Sequence, residues 1–169
     1  MDVGLLQSLE SALTAAGIAT LRFNFRGVDG SEGASTDGVM ETEDVEGAYR
    51  WLASRPEVAP ERITLAGWSF GSWVGFRWAL ASGVPQRIVL VSPPTSMYEF
   101  FVSLPAGDPP RIPETLIIAG DRDQFAGLAD LRRLASLTGA DLTLLPGVDH
   151  FLFGHEREIA QAVTDFLRG

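Results

Sequence analysis

Apolar residues follow two kinds of pattern along this chain. Leu5, Leu9 and Leu13 repeat at the spacing of one helix face, and Gly17 follows where a C-terminal cap belongs. Residues 87–91 are instead a short run rich in β-branched and aliphatic side chains, which is typical of a buried strand. Patterns of these two kinds predict helices at residues 2–16, 41–54, 71–82, 126–138 and 156–168, and strands at 18–25, 62–66, 87–91, 114–119 and 141–145.

The alternation of strands and helices predicts an α/β fold. Several of the strands are continuous apolar runs, which favours a mostly parallel sheet with helices on both faces. The 169 residues are enough for one domain, so we expect a single domain over residues 1–169. Residues 93–113 are rich in proline and predict a loop over one end of the sheet. So short a connection leaves no room for a large lid, and we expect an open site.

Composition and charge exclude several classes of function. The formal net charge of -9 disfavours binding to a nucleic acid. The absence of cysteine removes disulfides and thiolate metal sites, and with only two histidines, His150 and His155, a zinc site is hard to assemble. We therefore expect no metal and no cofactor. No leader-like or membrane-spanning apolar stretch stands out, so the sequence predicts a cytoplasmic protein that is not bound to a membrane.

The segment Gly67-Trp68-Ser69-Phe70-Gly71 carries the strongest chemical signal. A G-x-S-x-G pentapeptide alone is weak evidence, because chance supplies one in roughly one chain in eight of this composition. Here a predicted strand precedes it and a predicted helix follows it, which places Ser69 on a sharp turn suited to a nucleophile. The backbone N–H of Phe70 would then lie at a helix N-terminus, where it can stabilise an oxyanion. The competing interpretation is a tight turn with a helix-capping serine.

A serine nucleophile needs a histidine base and a carboxylate that orients the histidine. His150 follows the last predicted strand and is the candidate base, although it could equally be an ordinary loop histidine. His155 precedes a helix and is expected to be solvated. Asp121 and Asp123 follow the preceding strand, and either could be the acid or a turn-forming residue. The order serine, aspartate, histidine is the one that α/β-hydrolases use.

Four segments together resemble a bacterial family of small α/β-superfamily hydrolases. The resemblance covers nearly the whole chain and implies Ser69 as nucleophile, Asp123 as acid and His150 as base. It leaves the substrate open. The segments are residues 21–27, 67–71, 120–123 and 147–151.

The chain departs from this family at its N-terminus. Ahead of the segment that matches Met1 and Asp2, relatives carry further strands and a His-Pro/Gly-Gly loop that supplies a second oxyanion donor. In the family's usual strand order, an absent strand would lie between residues 18–25 and 62–66. The sequence therefore predicts an N-terminally abbreviated fold. Either Met1 is an internal methionine of a longer protein, or this product is a weakened enzyme.

Other patterns are less informative. The glycines at 27, 30 and 33 lack the G-x-G-x-x-G spacing of a dinucleotide site and predict a turn. The helix aromatics are expected in the core, namely Trp73, Phe76 and Trp78. A second aromatic group fits either an acyl pocket or a covering patch, namely Tyr98, Phe100 and Phe101.

The leading hypothesis is acyl transfer to water, in which an ester-like small molecule is cleaved without a cofactor. A thioesterase or peptidase belongs to the same class. The alternative is a non-catalytic or weakened hydrolase-like binding module, which the missing oxyanion loop favours.

Overall fold

The computed structural model describes residues 4–101 and 112–169. It divides into two compact units, one formed by Met1–Pro60 with Phe153–Gly169 and the other by Glu61–Leu152. The prediction of a single domain stays a prediction. The helices are α1 (Gly4–Ala15), α2 (Glu41–Ala53), α3 (Phe70–Ser82), α4 (Leu128–Thr138) and α5 (Glu156–Arg168), and the strands are β1 (Thr64–Trp68), β2 (Arg87–Val91), β3 (Glu114–Gly120) and β4 (Asp141–Leu145).

The second unit is built on a parallel sheet with the strand order β1-β2-β3-β4. The α/β class and the parallel sheet are therefore confirmed. Residues 88–91 of β2 and residues 115–120 of β3 are all buried, as expected for central strands of a parallel sheet. Because all four strands run in the same direction, the loops that follow them leave from one edge. That edge is where α/β proteins place their chemistry.

Two helices cover one face of this sheet. Helix α3 packs on β1 and β2, and α4 packs on β3 and β4. Ile88 and Leu90 lie two residues apart and therefore point to the same face, as do Ile117 and Ala119 on β3. These side chains form a core with buried residues of both helices and of the loop after β2, namely Phe76, Ala79, Leu80, Phe100, Ala126, Leu131 and Leu134.

The first unit contains α1, α2 and α5. The predicted apolar face of α1 is confirmed, because Leu5, Leu9 and Leu13 are all buried. Helix α1 packs against α5, which buries Ile159 and Val163. None of the helices in the described ranges, 4–101 and 112–169, is long and apolar enough to cross a membrane.

One predicted strand is wrong. Residues 18–25 form no strand in the structure. The alternating apolar residues of this segment instead contact each other. The rings of Phe23 and Phe25, two residues apart, make an edge-to-face contact at 5.4 Å. A strand also needs a neighbour to hydrogen-bond with, and an alternating pattern cannot supply one. The strand predicted at 62–66 is found at Thr64–Trp68, because Pro60–Arg62 forms a 3₁₀ turn.

The predicted turn and loop are confirmed where they are described. Gly27 has a positive φ of 72° and donates a hydrogen bond to the carbonyl of Glu32, closing the glycine-rich turn. The predicted loop at 93–113 contains no helix or strand in residues 93–101 and 112–113, and the rest of it lies outside the described residues.

Arg26 links this turn to α2. Its backbone N–H and its guanidinium both donate to the carboxylate of Asp44, at 2.9 Å and 2.7 Å. The hydrogen bonds from Arg26 lower the pKa of Asp44 despite partial burial. The pair therefore stays ionised at neutral pH and fixes the start of the turn.

Glu41 is a fully buried carboxylate at the start of α2. Its oxygens accept hydrogen bonds from the Ser35 hydroxyl, from the N–H and hydroxyl of Thr36, and from the N–H of Gly38, at distances of 2.7–3.0 Å. Burial raises the pKa of Glu41, but the hydrogen bonds from Thr36 and Ser35 outweigh burial and lower the pKa to about 2. The residues before α2 therefore close around this carboxylate.

Glu41→Gln is expected to lower the free energy of unfolding by about 3 kcal/mol at neutral pH. The amide presents a donor where the carboxylate accepts, so at least one buried donor loses its partner. Because the folded pKa of Glu41 lies below its ordinary value, its stabilising effect is present above pH 4.5 and is lost as the pH falls towards about 2. Urea unfolding across this range should show that loss in the parent and a flatter profile in the variant.

The exposed Glu57 provides a matched control in the same unit, and Glu57→Gln should leave the stability nearly unchanged. A Glu41→Gln protein with the stability and pH profile of the parent would contradict the role given to this carboxylate.

Candidate active site

Ser69 lies alone between β1 and α3, on the turn that the sequence predicts. Its backbone has φ 51° and ψ -121°, a conformation that costs a residue other than glycine about 1–3 kcal/mol. The surrounding bonds hold it there: its N–H donates to the carbonyl of Val91 at 2.9 Å, and its carbonyl accepts from the Ser72 hydroxyl at 2.6 Å. The turn is therefore strained and well anchored.

Gly67 makes this turn possible. A Cβ at position 67 would lie 2.4 Å from the carbonyl oxygen of Gly71, closer than any side chain tolerates. The first glycine of the pentapeptide thus has a steric cause. It lets the first turn of α3 approach the end of β1 without separating them.

His150 and Asp123 reach Ser69 from the loops after β4 and β3. Nε2 of His150 lies 2.8 Å from Oγ of Ser69, and Nδ1 lies 2.9 Å from each carboxylate oxygen of Asp123. His150 is 4% exposed and Asp123 is 8% exposed. The structure therefore brings the three predicted residues into one continuous hydrogen-bonded chain.

The two aspartates of the segment after β3 make different hydrogen bonds. Asp123 contacts His150, and its Oδ1 also accepts from the N–H of Phe125 at 2.9 Å. Asp121 is exposed, and its Oδ1 accepts from the N–H of Gly147 at 2.6 Å. The geometry favours Asp123 as the partner of the histidine. The other histidine, His155, contacts Glu158 on α5.

Phe70 is the first residue of α3. Backbone N–H groups in the first turn of a helix point out along the helix axis, at the end that carries the positive partial charge. The N–H of Phe70 directly follows Ser69, so a negative oxygen formed at the serine would lie near the start of this helix. That position suits an oxyanion donor.

Aromatic rings surround the imidazole of His150. Phe125 approaches it edge-on at 4.8 Å, Phe151 does so at 5.7 Å, and the ring of Trp68 lies 5.8 Å away. These rings restrict the imidazole to one orientation and keep most water from it. Sequence reasoning did not single out Phe125 or Trp68 for this role. The available signal was their position next to the acid and to the serine.

The aromatic residues after β2 divide into different environments. Tyr98 stacks on Trp73 at 4.5 Å and contacts Phe70 at 5.7 Å, which places it beside the helix that follows Ser69. Phe100 is fully buried and packs on Phe76 in the core, so of the two roles considered for it the pocket role is wrong. The half-buried ring of Phe101 carries the guanidinium of Arg133 at 4.3 Å.

The core prediction for the α3 aromatics largely holds. Phe76 and Trp78 are buried, and Trp73 is half-buried against the core with Arg77 over its ring. In the described part of the chain, no three histidine, aspartate or glutamate side chains come together as a possible metal site.

A parallel sheet with a serine on a strained strand-to-helix turn, followed in sequence by an aspartate and a histidine on later loops, defines the α/β-hydrolase class. The chain belongs to the alpha/beta hydrolase family, whose family model matches residues 3–114.

Solved structures of similar proteins agree with this assignment. An alpha-beta serine hydrolase homologue from Coxiella burnetii is 28% identical, with a TM-score of 0.83 over 99% of this chain and 77% of that one. An α/β serine hydrolase without lid from Xanthomonas campestris is also 28% identical, with a TM-score of 0.83 over 99% of this chain and 74% of that one.

Curated relatives are longer than this chain. An uncharacterized protein of Rickettsia prowazekii is 29% identical over 161 residues, which cover 89% of this chain and 65% of that protein. An uncharacterized protein of Mycobacterium tuberculosis is 33% identical over 98 residues, or 58% of this chain and 34% of that protein. The chain thus spans less than two thirds of the length of these relatives.

Proposed function

We propose that this protein is a serine hydrolase that cleaves an ester-like acyl bond of a small molecule through Ser69, His150 and Asp123. One observation carries the proposal: Ser69 Oγ, the His150 imidazole and the Asp123 carboxylate form an unbroken chain with contacts of 2.8 Å and 2.9 Å. That is the arrangement by which a neutral hydroxyl becomes a nucleophile.

The contacts support one set of proton positions in the proposed mechanism. An ionised carboxylate only accepts hydrogen bonds, so in this mechanism Nδ1 of His150 carries the ring proton and donates a hydrogen bond to Asp123. Nε2 then has a free electron pair and accepts the hydrogen bond from the Ser69 hydroxyl. As Oγ of Ser69 attacks the carbonyl carbon, Nε2 takes the hydroxyl proton, and Asp123 stabilises the imidazolium that forms.

The remaining steps return the site to its starting state. The attack leaves a negative oxygen, which the N–H of Phe70 stabilises at the start of α3. His150 gives its proton to the leaving alcohol as the carbon–oxygen bond breaks, and an acyl group stays on Ser69. Water then loses a proton to Nε2 and attacks the acyl group, and the proton passes back to Oγ as the acid leaves.

The surroundings favour an uncharged, accessible substrate. The rings nearest His150 are apolar, and an apolar wall disfavours a charged acyl group. The short connection after β2 and the resemblance to a hydrolase described as having no lid both support an open site. Short-chain esters are therefore the expected substrates.

Fluorophosphonate labelling followed by intact-mass measurement tests this proposal. The probe reacts with an activated serine, so the parent should gain one adduct and Ser69→Ala none. Ser136 is an exposed serine on α4, and Ser136→Ala should keep the adduct. A folded parent that gains no adduct would exclude an activated Ser69 and favour the alternative, a non-catalytic hydrolase-like binding module.

A further inference from the structure

Two loops carry the acid and the base, and they are joined to each other. We call residues 121–125 the acid loop and residues 146–150 the histidine loop. Backbone N–H groups of Asp121 and Arg122 donate to the carbonyls of Leu145 and Val148, each at 3.0 Å. These bonds continue the pairing of β3 with β4 beyond the last residues of the strands.

The end of β3 also approaches the histidine loop closely. A Cβ at Gly120 would lie 2.0 Å from the carbonyl oxygen of Val148, so only glycine permits this contact. The backbone bonds and this approach hold carbonyl groups of the histidine loop. None of these contacts involves the peptide between Pro146 and Gly147.

Asp121 contacts that peptide. Gly147 has a positive φ of 77° and nothing within 4 Å of a Cβ position, so its own surroundings do not confine it. Its N–H donates to Oδ1 of Asp121 at 2.6 Å, a charge-assisted hydrogen bond. Rotation of the Pro146–Gly147 peptide would turn this N–H away and shift Val148 and the residues after it.

We propose that Asp121 is a positioning residue, whose carboxylate fixes the histidine loop so that His150 meets Asp123 and Ser69 together. This role rests on the proposed function of the same site. Asp121 and Asp123 lie two residues apart, so one loop carries both the residue that contacts Gly147 and the residue that contacts the imidazole. Gln124 adds a weaker contact, as its side-chain oxygen lies 3.4 Å from the N–H of His150.

The reaction depends on the distances from His150 to Asp123 and to Ser69. Nδ1 of His150 is 2.9 Å from both oxygens of Asp123, and Nε2 is 2.8 Å from Ser69. A displacement of the histidine loop by about 1 Å breaks this geometry and costs a reaction about 100-fold in rate. Because the imidazole of His150 acts in the chemical step, the loss should fall mainly on kcat.

Three variants separate positioning from a general effect of charge. Asp121→Ala removes the acceptor. Asp121→Asn keeps an oxygen that can accept from Gly147 but removes the charge. Asp141→Ala removes an exposed carboxylate from the first residue of β4, at the opposite end of the strand that precedes the histidine loop.

The decisive readouts are hydrogen exchange at the Gly147 N–H, the low-field proton resonance of His150 Nδ1–H, and kcat with a short-chain ester. Asp121→Ala should speed the exchange, broaden or abolish the resonance, and lower kcat by about 10- to 100-fold. Asp121→Asn and Asp141→Ala should keep the exchange rate and the resonance of the parent, with kcat within a few-fold.

The inference is overturned if Asp121→Ala keeps the resonance and the kcat of the parent, or if Asp121→Asn is damaged as severely as Asp121→Ala. The two spectroscopic readouts need no turnover. A parent that hydrolyses nothing would therefore overturn the proposed function, while the resonance and the exchange rate would still decide whether Asp121 positions His150.

Discussion

Replacing His150 by alanine is expected to lower kcat for a short-chain ester by about 10⁶-fold. Within residues 4–101 and 112–169, the group that contacts the Ser69 hydroxyl and can take its proton is Nε2 of His150, at 2.8 Å, and the variant lacks it. The oxyanion donor and the binding surface remain, so a small residual rate over water should survive. Steady-state kinetics on purified, folded protein measure the loss.

Two comparisons make this result specific. Ser69→Ala should lower kcat to a similar level, and the double variant should fall no further, because residues that act as a unit do not contribute additively. His155 is the matched control, since it contacts an exposed carboxylate on α5 and His155→Ala should retain full activity. Independent, additive losses from Ser69→Ala and His150→Ala would argue against a shared mechanism.

Asp123→Asn is expected to lower kcat by about 10⁴-fold with little change in fold. Oδ1 of Asp123 accepts from the N–H of Phe125 as well as from His150, which favours placing the asparagine oxygen towards Phe125 and its NH₂ towards His150. Nδ1 would then have to accept, and the imidazole proton would move to Nε2. In that tautomer Nε2 cannot accept the proton of Ser69.

The loss of kcat in Asp123→Asn should depend on the pH and should be specific to position 123. Hydroxide can replace the missing base at high pH, so the relative loss should shrink in alkaline solution. Asp121→Asn is the matched change two residues away and should keep most of the activity. The assignment of the acid is wrong if Asp121→Asn loses activity while Asp123→Asn retains it.

Local patterns were sufficient to predict most of the secondary structure. Residues 141–145 were predicted as a strand and residues 156–168 as a helix, and both have those bounds in the structure. The strand and helix around Ser69 were also identified correctly, because the glycine at 67 and the change of apolar period both mark the turn. In these elements each residue's neighbours along the chain favour the same structure as the tertiary contacts do.

Predictions that depended on distant parts of the chain were weaker. Residues 18–25 have the composition of a strand, but strand formation also requires a hydrogen-bonded neighbour. The residues alone left Asp121 and Asp123 as alternatives, and Asp123 was chosen on the family resemblance, because the approach of the histidine loop that distinguishes them is a tertiary contact. The need for glycine at position 120 arises from the carbonyl of Val148, which is distant in sequence and carries no local signal.

The pairing of β3 with β4 sets the distance between the acid and the base. Gly120 is opposite Leu145, and the two loops begin at this pair. A slip by one residue would move one loop by about 3.3 Å along the strand and turn the side chains of β4 to the opposite face. Such a molecule could keep its helices and most of its sheet and still be inactive. The activity regained after refolding should therefore count correctly paired molecules, a stricter measure of native structure than the recovery of helical circular dichroism.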